Sequence, residues 1–347
     1  MLENVIQKLL EANRGIHDTF EELMRHKMLL LVGDSKQLPP VCKCRVGKHD
    51  ICLRCHITAS DAFQAAAKHD LLVSVRQEGD PTFAQLLQEV RHAAPTEARL
   101  TAVFGARASS AQARGLATPA TASTSAAQPP TTNVWVSYAR ALEDVGPDFL
   151  ALCSHLEDVR AFNAAALSRL PGDLIQLPLT GSGADEMQRP NPPPKLAAFM
   201  ADPDFHKLPA VKVGARVIFT NNFDLKKGAA NGASGTVLGV ATTAKGSQQV
   251  VVKTETGHTV NVNRTLDERL FSRGIELDKS TFPLALGYAI TGHKSQGATI
   301  DRPCVVVVRD AFAPGLVYTM LSRVTVRAHL RVVDTLRAQD CVPMPDL

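Results

Sequence analysis

Strand-length apolar runs alternate along this chain with helical stretches that carry one apolar face, and this alternation restricts it to an α/β fold on a largely parallel sheet. The predicted strands are Met28–Val32, Leu71–Val75, Phe149–Cys153, Asp173–Leu177, Ala285–Ile290, Cys304–Val308 and Leu330–Val333. Between them lie helical patterns: an N-terminal stripe of Leu2, Val5, Ile6, Leu9 and Leu10, a helix over Asp61–Lys68, and faces formed by Phe83, Leu86, Leu87, Val90 and by Val159, Phe162, Ala166, Leu167. A last helix ends near Ser322.

Two stretches leave this pattern. Residues 101–133 are mostly Ala, Ser, Thr and Pro and read as a disordered insertion, since they offer little apolar surface to bury. From Leu208 to about Phe282, short β-like runs separated by Gly and Asn turns predict a small β-barrel nested within the α/β frame. A Pro-rich connector, Gly181–Lys195, precedes it.

None of the apolar runs reaches the 18 residues of a membrane span, so no membrane partner is expected. The net charge of +4 is too small to announce a nucleic-acid partner by itself. Four of the seven cysteines, Cys42, Cys44, Cys52 and Cys55, crowd together, which argues for a reducing compartment and a local metal or thiol site. Their C-x-C and C-x2-C pairs allow a small structural Zn²⁺ loop, in which His49 or His56 could replace one thiolate; incidental thiols are the alternative.

Three stretches carry chemistry. In LLLVGDSKQLPPV (Leu29–Val41) a strand delivers Gly33, Asp34 and Gln37 into a loop stiffened by Pro39 and Pro40. In LGYAITGHKSQGATID (Leu286–Asp301) a strand ends in small and polar residues able to bring backbone amides and a cation against phosphates. In YTMLSRVT (Tyr318–Thr325) Arg323 follows an apolar helical stretch, and a placed guanidinium can neutralise a transferring phosphoryl group. Each stretch alone is compatible with a structural role.

Together, and in this order, these segments resemble the superfamily-one DNA helicases of the PIF and RecD-like group. GDSKQLPP resembles motif III, SVRQEGDPTFAQLLQEVR motif IV, LGYAITGHKSQGATID motif V and VYTMLSRVT motif VI. Leu208–Val240 is similar to that group's SH3-like insertion. The resemblance implies a RecA-like helicase fold in four parts: residues 1–60 as the end of a first RecA-like domain, 61–205 and 284–347 as a second one, and 206–283 as the SH3-like insertion. It implies ATP-driven 5′ to 3′ translocation on single-stranded DNA, with Mg²⁺ as the nucleotide's metal, and work in DNA repair and recombination. Gln37 would couple the terminal phosphate to DNA movement, and Arg76 and Arg323 would reach that phosphate as arginine fingers, with Gly33, Asp34, Gln296 and Gly297 near the nucleotide. Pro39, Thr291, His293, Lys294 and Asn231 would face DNA, although Asn231 reads equally well as part of a hairpin turn. The compartment stays open; nucleus or mitochondrion is expected for a eukaryotic member.

One departure qualifies the resemblance. No GxxxxGK[ST] phosphate loop occurs in the sequence, and Lys294-Ser295 lacks the glycine-rich run that would make one. The expectation is a chain truncated ahead of the phosphate loop; a split enzyme whose partner supplies that loop, or a degenerate copy, is the alternative. A remnant of such a helicase that binds nucleic acid or zinc without catalysis is the competing function.

Overall fold

A computed structural model describes residues 30–38, 61–71, 74–106, 134–178, 190–191, 208–265 and 282–345. Helices α1 (Asp61–Ala65), α2 (Pro81–His92) and α3 (Glu97–Phe104) precede β1 (Trp135–Val136), α4 (Tyr138–Glu143), β2 (Leu150–Cys153) and α5 (Leu156–Arg169). The short strands β3 (Ile175–Gln176) and β4 (Ala210–Val211) lead to β5 (Arg216–Phe219), β6 (Ser234–Thr242), β7 (Gln248–Thr254), β8 (Thr259–Val262) and β9 (Leu284–Leu286). Then come β10 (Ala289–Thr291), β11 (Cys304–Val307), α6 (Leu316–Leu321) and β12 (Leu330–Val333). The chain forms two compact units, one of residues 1–135, 295–301 and 308–347, the other of 136–294 and 302–307.

In the first unit, α2 begins where the sequence supplies both a cap and a proline. The Asp80 carboxylate accepts the Phe83 amide at 3.1 Å, Pro81 needs no partner for an N–H it lacks, and the other Asp80 oxygen accepts the Arg327 amide at 2.9 Å. Phe83, Leu86, Leu87 and Val90 are buried, as the helical spacing requires, each contributing about 1.5–3 kcal/mol of transfer free energy. The helix packs against α3 and α6. Thr96 caps α3, and Arg99 forks onto both oxygens of Glu89. Trp135 donates to the Gly105 carbonyl at 2.7 Å and meets Phe104 edge-on at 5.7 Å, so its ring packs within this unit.

In the second unit, β2 lies between β11 and β10 in parallel, with Cys304 opposite Leu150 and Ala289 opposite Ala151. All four residues of β2 and of β11 are buried, which is why both read as uninterrupted apolar runs. Helix α5 packs over β2 and β10. A five-stranded antiparallel sheet in the order β8-β7-β6-β5-β9 encloses a separate core of Val217, Phe219, Val237, Val250, Val252 and Leu284, among others.

Five expectations need correction. Residues 30–32 are not in a strand, and Leu30 and Val32 lie about four-fifths exposed; an apolar run by itself does not supply a pairing partner. Residues 71, 74 and 75 are likewise outside any strand, with Leu71 and Val75 exposed; β-branched content alone does not supply a pairing partner. The helix expected over Asp61–Lys68 ends at Ala65. The insertion expected from residue 101 starts too early, since Thr101–Phe104 complete α3 and Val103 and Phe104 are buried. The strand Ala285–Ile290 is two strands: β9 pairs with β5, while β10 pairs with β2. Gly287 is the break, its amide donating to the Arg216 carbonyl at 3.0 Å where a Cβ would press on Ile218, Arg216 and Val217 at 3.2–3.3 Å.

Candidate functional site

The first unit assembles its site on the turn Asp34–Leu38. The Gln37 amide returns to the Asp34 carbonyl at 3.2 Å, and the Lys36 amide donates to Asp34 Oδ1 at 3.1 Å. Three further side chains converge on the same carboxylate: Arg91 donates to Oδ1 at 3.1 Å, while Tyr318 and Gln37 donate to Oδ2 at 2.8 and 3.3 Å. The turn is gripped at its other end, where the Leu38 amide donates to Thr319 Oγ1 at 2.8 Å and Gln296 Nε2 donates to the Leu38 carbonyl at 2.9 Å. Lys36 is buried, and its ammonium donates to the Met344 carbonyl at 2.9 Å.

The two candidate arginines meet around Ser322. Arg76 donates to the Ser322 carbonyl at 2.9 Å and to Thr299 Oγ1 at 3.1 Å. Its neighbour Gln77, also buried, donates to the carbonyls of Ser322 and Val324 and accepts from Ser74. Arg323 is 2% exposed; its Nε donates to the Thr319 carbonyl and its guanidinium to Ser322 Oγ, at 2.9 and 2.8 Å. Burial, reinforced by the charge of Arg76, pushes the Arg323 pKa down to about 10, so this guanidinium stays cationic at neutral pH. A buried guanidinium and a half-buried one, both bonded to Ser322, make a place where an added anion is favoured.

Burial would raise the Asp34 carboxyl, but the hydrogen bonds from Tyr318 and the Lys36 amide, the Arg91 charge and the Gln37 contact outweigh it and hold the pKa below the usual carboxylate value. Burial and the adjacent Asp34 charge push the Tyr318 phenol up, so it remains a donor at any physiological pH.

The structure thus brings Asp34, Gln37, Arg76, Gln296 and Arg323 into one unit, together with Gly33 and with Gly297, whose φ of +83° ends the motif V turn. Thr291, His293, Lys294 and Asn231 belong to the other unit. Thr291 closes β10 and its Oγ1 accepts the Lys294 amide at 3.4 Å; Lys294 is exposed, and burial pushes the His293 pKa down. Asn231 lies in a turn of the antiparallel sheet, its amide donating to Asn222 Oδ1 at 2.9 Å, with Gly232 following at a φ of +87°. Pro39 and the cluster Cys42, Cys44, Cys52 and Cys55 lie outside the described residues. Among the described residues no group of three or more His, Cys, Asp or Glu is placed to hold a metal, and no helix is long and apolar enough to cross a membrane.

Arg91, Gln77, Thr319 and Tyr318 complete the site without having been singled out in the sequence. Tyr318 and Thr319 stand inside the quoted motif VI stretch, and Gln77 and Arg91 inside the motif IV stretch, so only their partners were hidden.

The chain is 28% identical to the zebrafish (Danio rerio) ATP-dependent DNA helicase PIF1 over 308 residues, which is 88% of this chain and 40% of that protein. It is 31% identical to the human PIF1 helicase over 201 residues, 56% of this chain and 29% of that one. The chain is similar in sequence to PIF1 helicases. It also shares a fold with the crystal structure of the Pif1 helicase from Candida albicans, with a TM-score of 0.55 and 22% identity over 88% of this chain and 64% of that one. The architecture is therefore the α/β RecA-like fold of PIF1 helicases. No protein-family model matches. The chain spans less than half the length of these curated PIF1 relatives.

Proposed function

We propose that this chain supplies the nucleotide-closing and DNA-tracking part of an ATP-dependent DNA helicase of the PIF1 type. The observation that carries the reading is the convergence of Arg76 and Arg323 on Ser322, in the same unit that seats Gln37 on Asp34. The buried guanidinium of Arg323 and the half-buried one of Arg76 suit the charge that develops on a transferring γ-phosphoryl group, and the nearby Gln37 amide suits a phosphate oxygen, coupling it to DNA movement. Gly33, Gln296 and Gly297 border that nucleotide. ATP and its Mg²⁺ require a phosphate loop, which a preceding segment or a partner would provide.

In the same reading, residues 1–60 end a first RecA-like domain, 61–205 and 284–347 form a second, and 206–283 form an SH3-like insertion. Single-stranded DNA runs past Thr291, His293 and Lys294, with Pro39 and Asn231 as further contacts, and movement is 5′ to 3′. Cationic contacts of this kind give sequence-independent, salt-dependent affinity. A structural Zn²⁺ sits on Cys42, Cys44, Cys52 and Cys55; metal analysis of the purified chain is expected to find about one zinc per molecule, and a folded, metal-free preparation removes that element.

The deciding experiment has two arms. Anisotropy of a labelled single-stranded oligonucleotide is expected to show binding that weakens with salt, and Lys294→Ala to make the salt slope shallower by about one. The chain joined behind a PIF1 phosphate-loop segment is expected to hydrolyse ATP faster when single-stranded DNA is added. Binding without turnover in that fusion would instead favour a non-catalytic nucleic-acid-binding protein. Loss of both binding and turnover overturns the proposal.

A further inference from the structure

We infer that Tyr318 and Arg91 are positioning residues that set the side-chain amide of Gln37 through the carboxylate of Asp34. The inference rests on the helicase reading above and extends it to residues which that reading leaves without a role.

An ionised carboxylate only accepts hydrogen bonds. Asp34 Oδ2 takes Nε2 of Gln37, so the amide is held with its donor end on Asp34 and its Oε1 as the acceptor end. The second hydrogen of that Nε2 stays available to an oxygen of the terminal phosphate, the contact that the helicase reading gives to Gln37. In hydrolysis the water oxygen bonds to the terminal phosphorus as the bond to the bridging oxygen breaks. ADP leaves with that electron pair, one water proton stays on the phosphate and the other passes to solvent. Asp34 touches none of these atoms; its part is to fix how the amide of Gln37 faces them.

The carboxylate itself needs holding. Arg91, from the last turn of α2, fixes Oδ1 at 3.1 Å, and Tyr318, from α6, fixes Oδ2 at 2.8 Å. Tyr318 stands on the helix that leads into Arg323, so the same rigid element carries the arginine and the donor that orients the glutamine's anchor. A displacement of α6 would therefore move both in register. The hydroxyl of Tyr318 and the amide of Gln37 share one oxygen, so removing the phenol leaves that oxygen with the weaker, 3.3 Å contact alone.

The test uses the fusion that carries a phosphate loop, and the unfused chain beside it. Tyr318→Phe and Asp34→Asn are each expected to lower kcat for ATP about tenfold while KM for ATP changes less than about twofold, the mark of an interaction made only in the transition state. Asp34→Glu, which keeps an acceptor-only carboxylate, is expected to recover part of the loss. In the unfused chain, Tyr318→Phe is expected to speed hydrogen exchange at the amides of residues 35–38 and leave β2 and β11 protected. Unchanged kcat in both variants, a rise in KM alone, or unchanged exchange at residues 35–38 each overturns the inference while leaving the helicase reading in place. A wild-type fusion without ATP turnover overturns the reading on which the inference rests.

Discussion

Tyr318 donates its phenolic hydrogen to Oδ2 of Asp34 at 2.8 Å, which joins the motif VI helix to the motif III turn across a sequence separation of 284 residues. With Arg91 on the other oxygen, the carboxylate is stabilised in its ionised form, and its pKa lies below the usual value although burial alone would raise it. The sign of the linkage follows. A carboxyl whose folded pKa is depressed contributes stability that is fully present above its unfolded pKa and is lost as pH falls through the folded one. Urea denaturation followed from neutral pH downward is expected to show stability falling below about pH 4. Asp34→Asn is expected to start less stable at pH 7 and to lose less on acidification. Parallel pH profiles for the two proteins would refute the linkage.

Gly315 carries a second, purely steric prediction. Its φ is +74°, and a Cβ there would lie 2.7 Å from the Lys36 carbonyl oxygen and 2.7 Å from Met344 Cγ. Gly315→Ala therefore combines left-handed strain with a contact that the backbone at Lys36 cannot relieve by rotating a side chain. The expected cost is about 2 kcal/mol, read as a fall of several degrees in Tm. A change of Tm within a degree would mean that the turn Asp34–Leu38 shifts freely.

How much of this was legible in the sequence depended on whether the partner lay nearby in the chain. The helix face of Phe83, Leu86, Leu87 and Val90 and the strands β2 and β11 follow from periodicity and apolar runs, signals contained in a dozen residues. Gln37 and Arg323 stand in stretches that read as chemistry, while Arg76 came only with the PIF resemblance that the order of the segments carries. What periodicity could not supply was pairing. Leu30 and Val32 have the composition of a buried strand yet no described neighbour, and Ala285–Ile290 looks continuous although Gly287 hands it from one sheet to another. Arg91 and Tyr318 were unremarkable as residues, because the carboxylate that gives them meaning is 57 positions from the first and 284 from the second.

Asn163 makes the handover at Gly287 measurable. From α5 its Oδ1 accepts the amides of both Tyr288 and Ala289 at 3.0 Å, and its Nδ2 donates to the Ala289 carbonyl at 3.3 Å. These are the groups between β9 and β10, where the chain leaves one sheet for the other, and both Tyr288 and Ala289 are buried. Asn163→Ala leaves two amides without their acceptor and is expected to cost about 2–3 kcal/mol. Asn163→Asp keeps the acceptor and is expected to cost less near neutral pH. Chemical denaturation of the two variants checks the order, and equal losses would show that the donated bond to Ala289, not the accepted pair, holds the junction.

Arg323 gives the sharpest separation of chemistry from folding. Its guanidinium is anchored on Thr319 and Ser322 beside Arg76, so a lysine, with one point charge and no fork, cannot reproduce both anchors. In the fusion bearing a phosphate loop, Arg323→Ala is expected to lower ATP turnover by about a thousandfold, and Arg323→Lys to recover little of it. Single-strand affinity of either variant is expected to stay within about twofold of the parent, since the cations proposed to face DNA are on the other unit. Turnover that survives Arg323→Ala would remove the arginine from the reacting phosphate. A matching loss of DNA affinity would assign it instead to the integrity of α6, because a residue that only neutralises the phosphate has no reason to change how the strand is held.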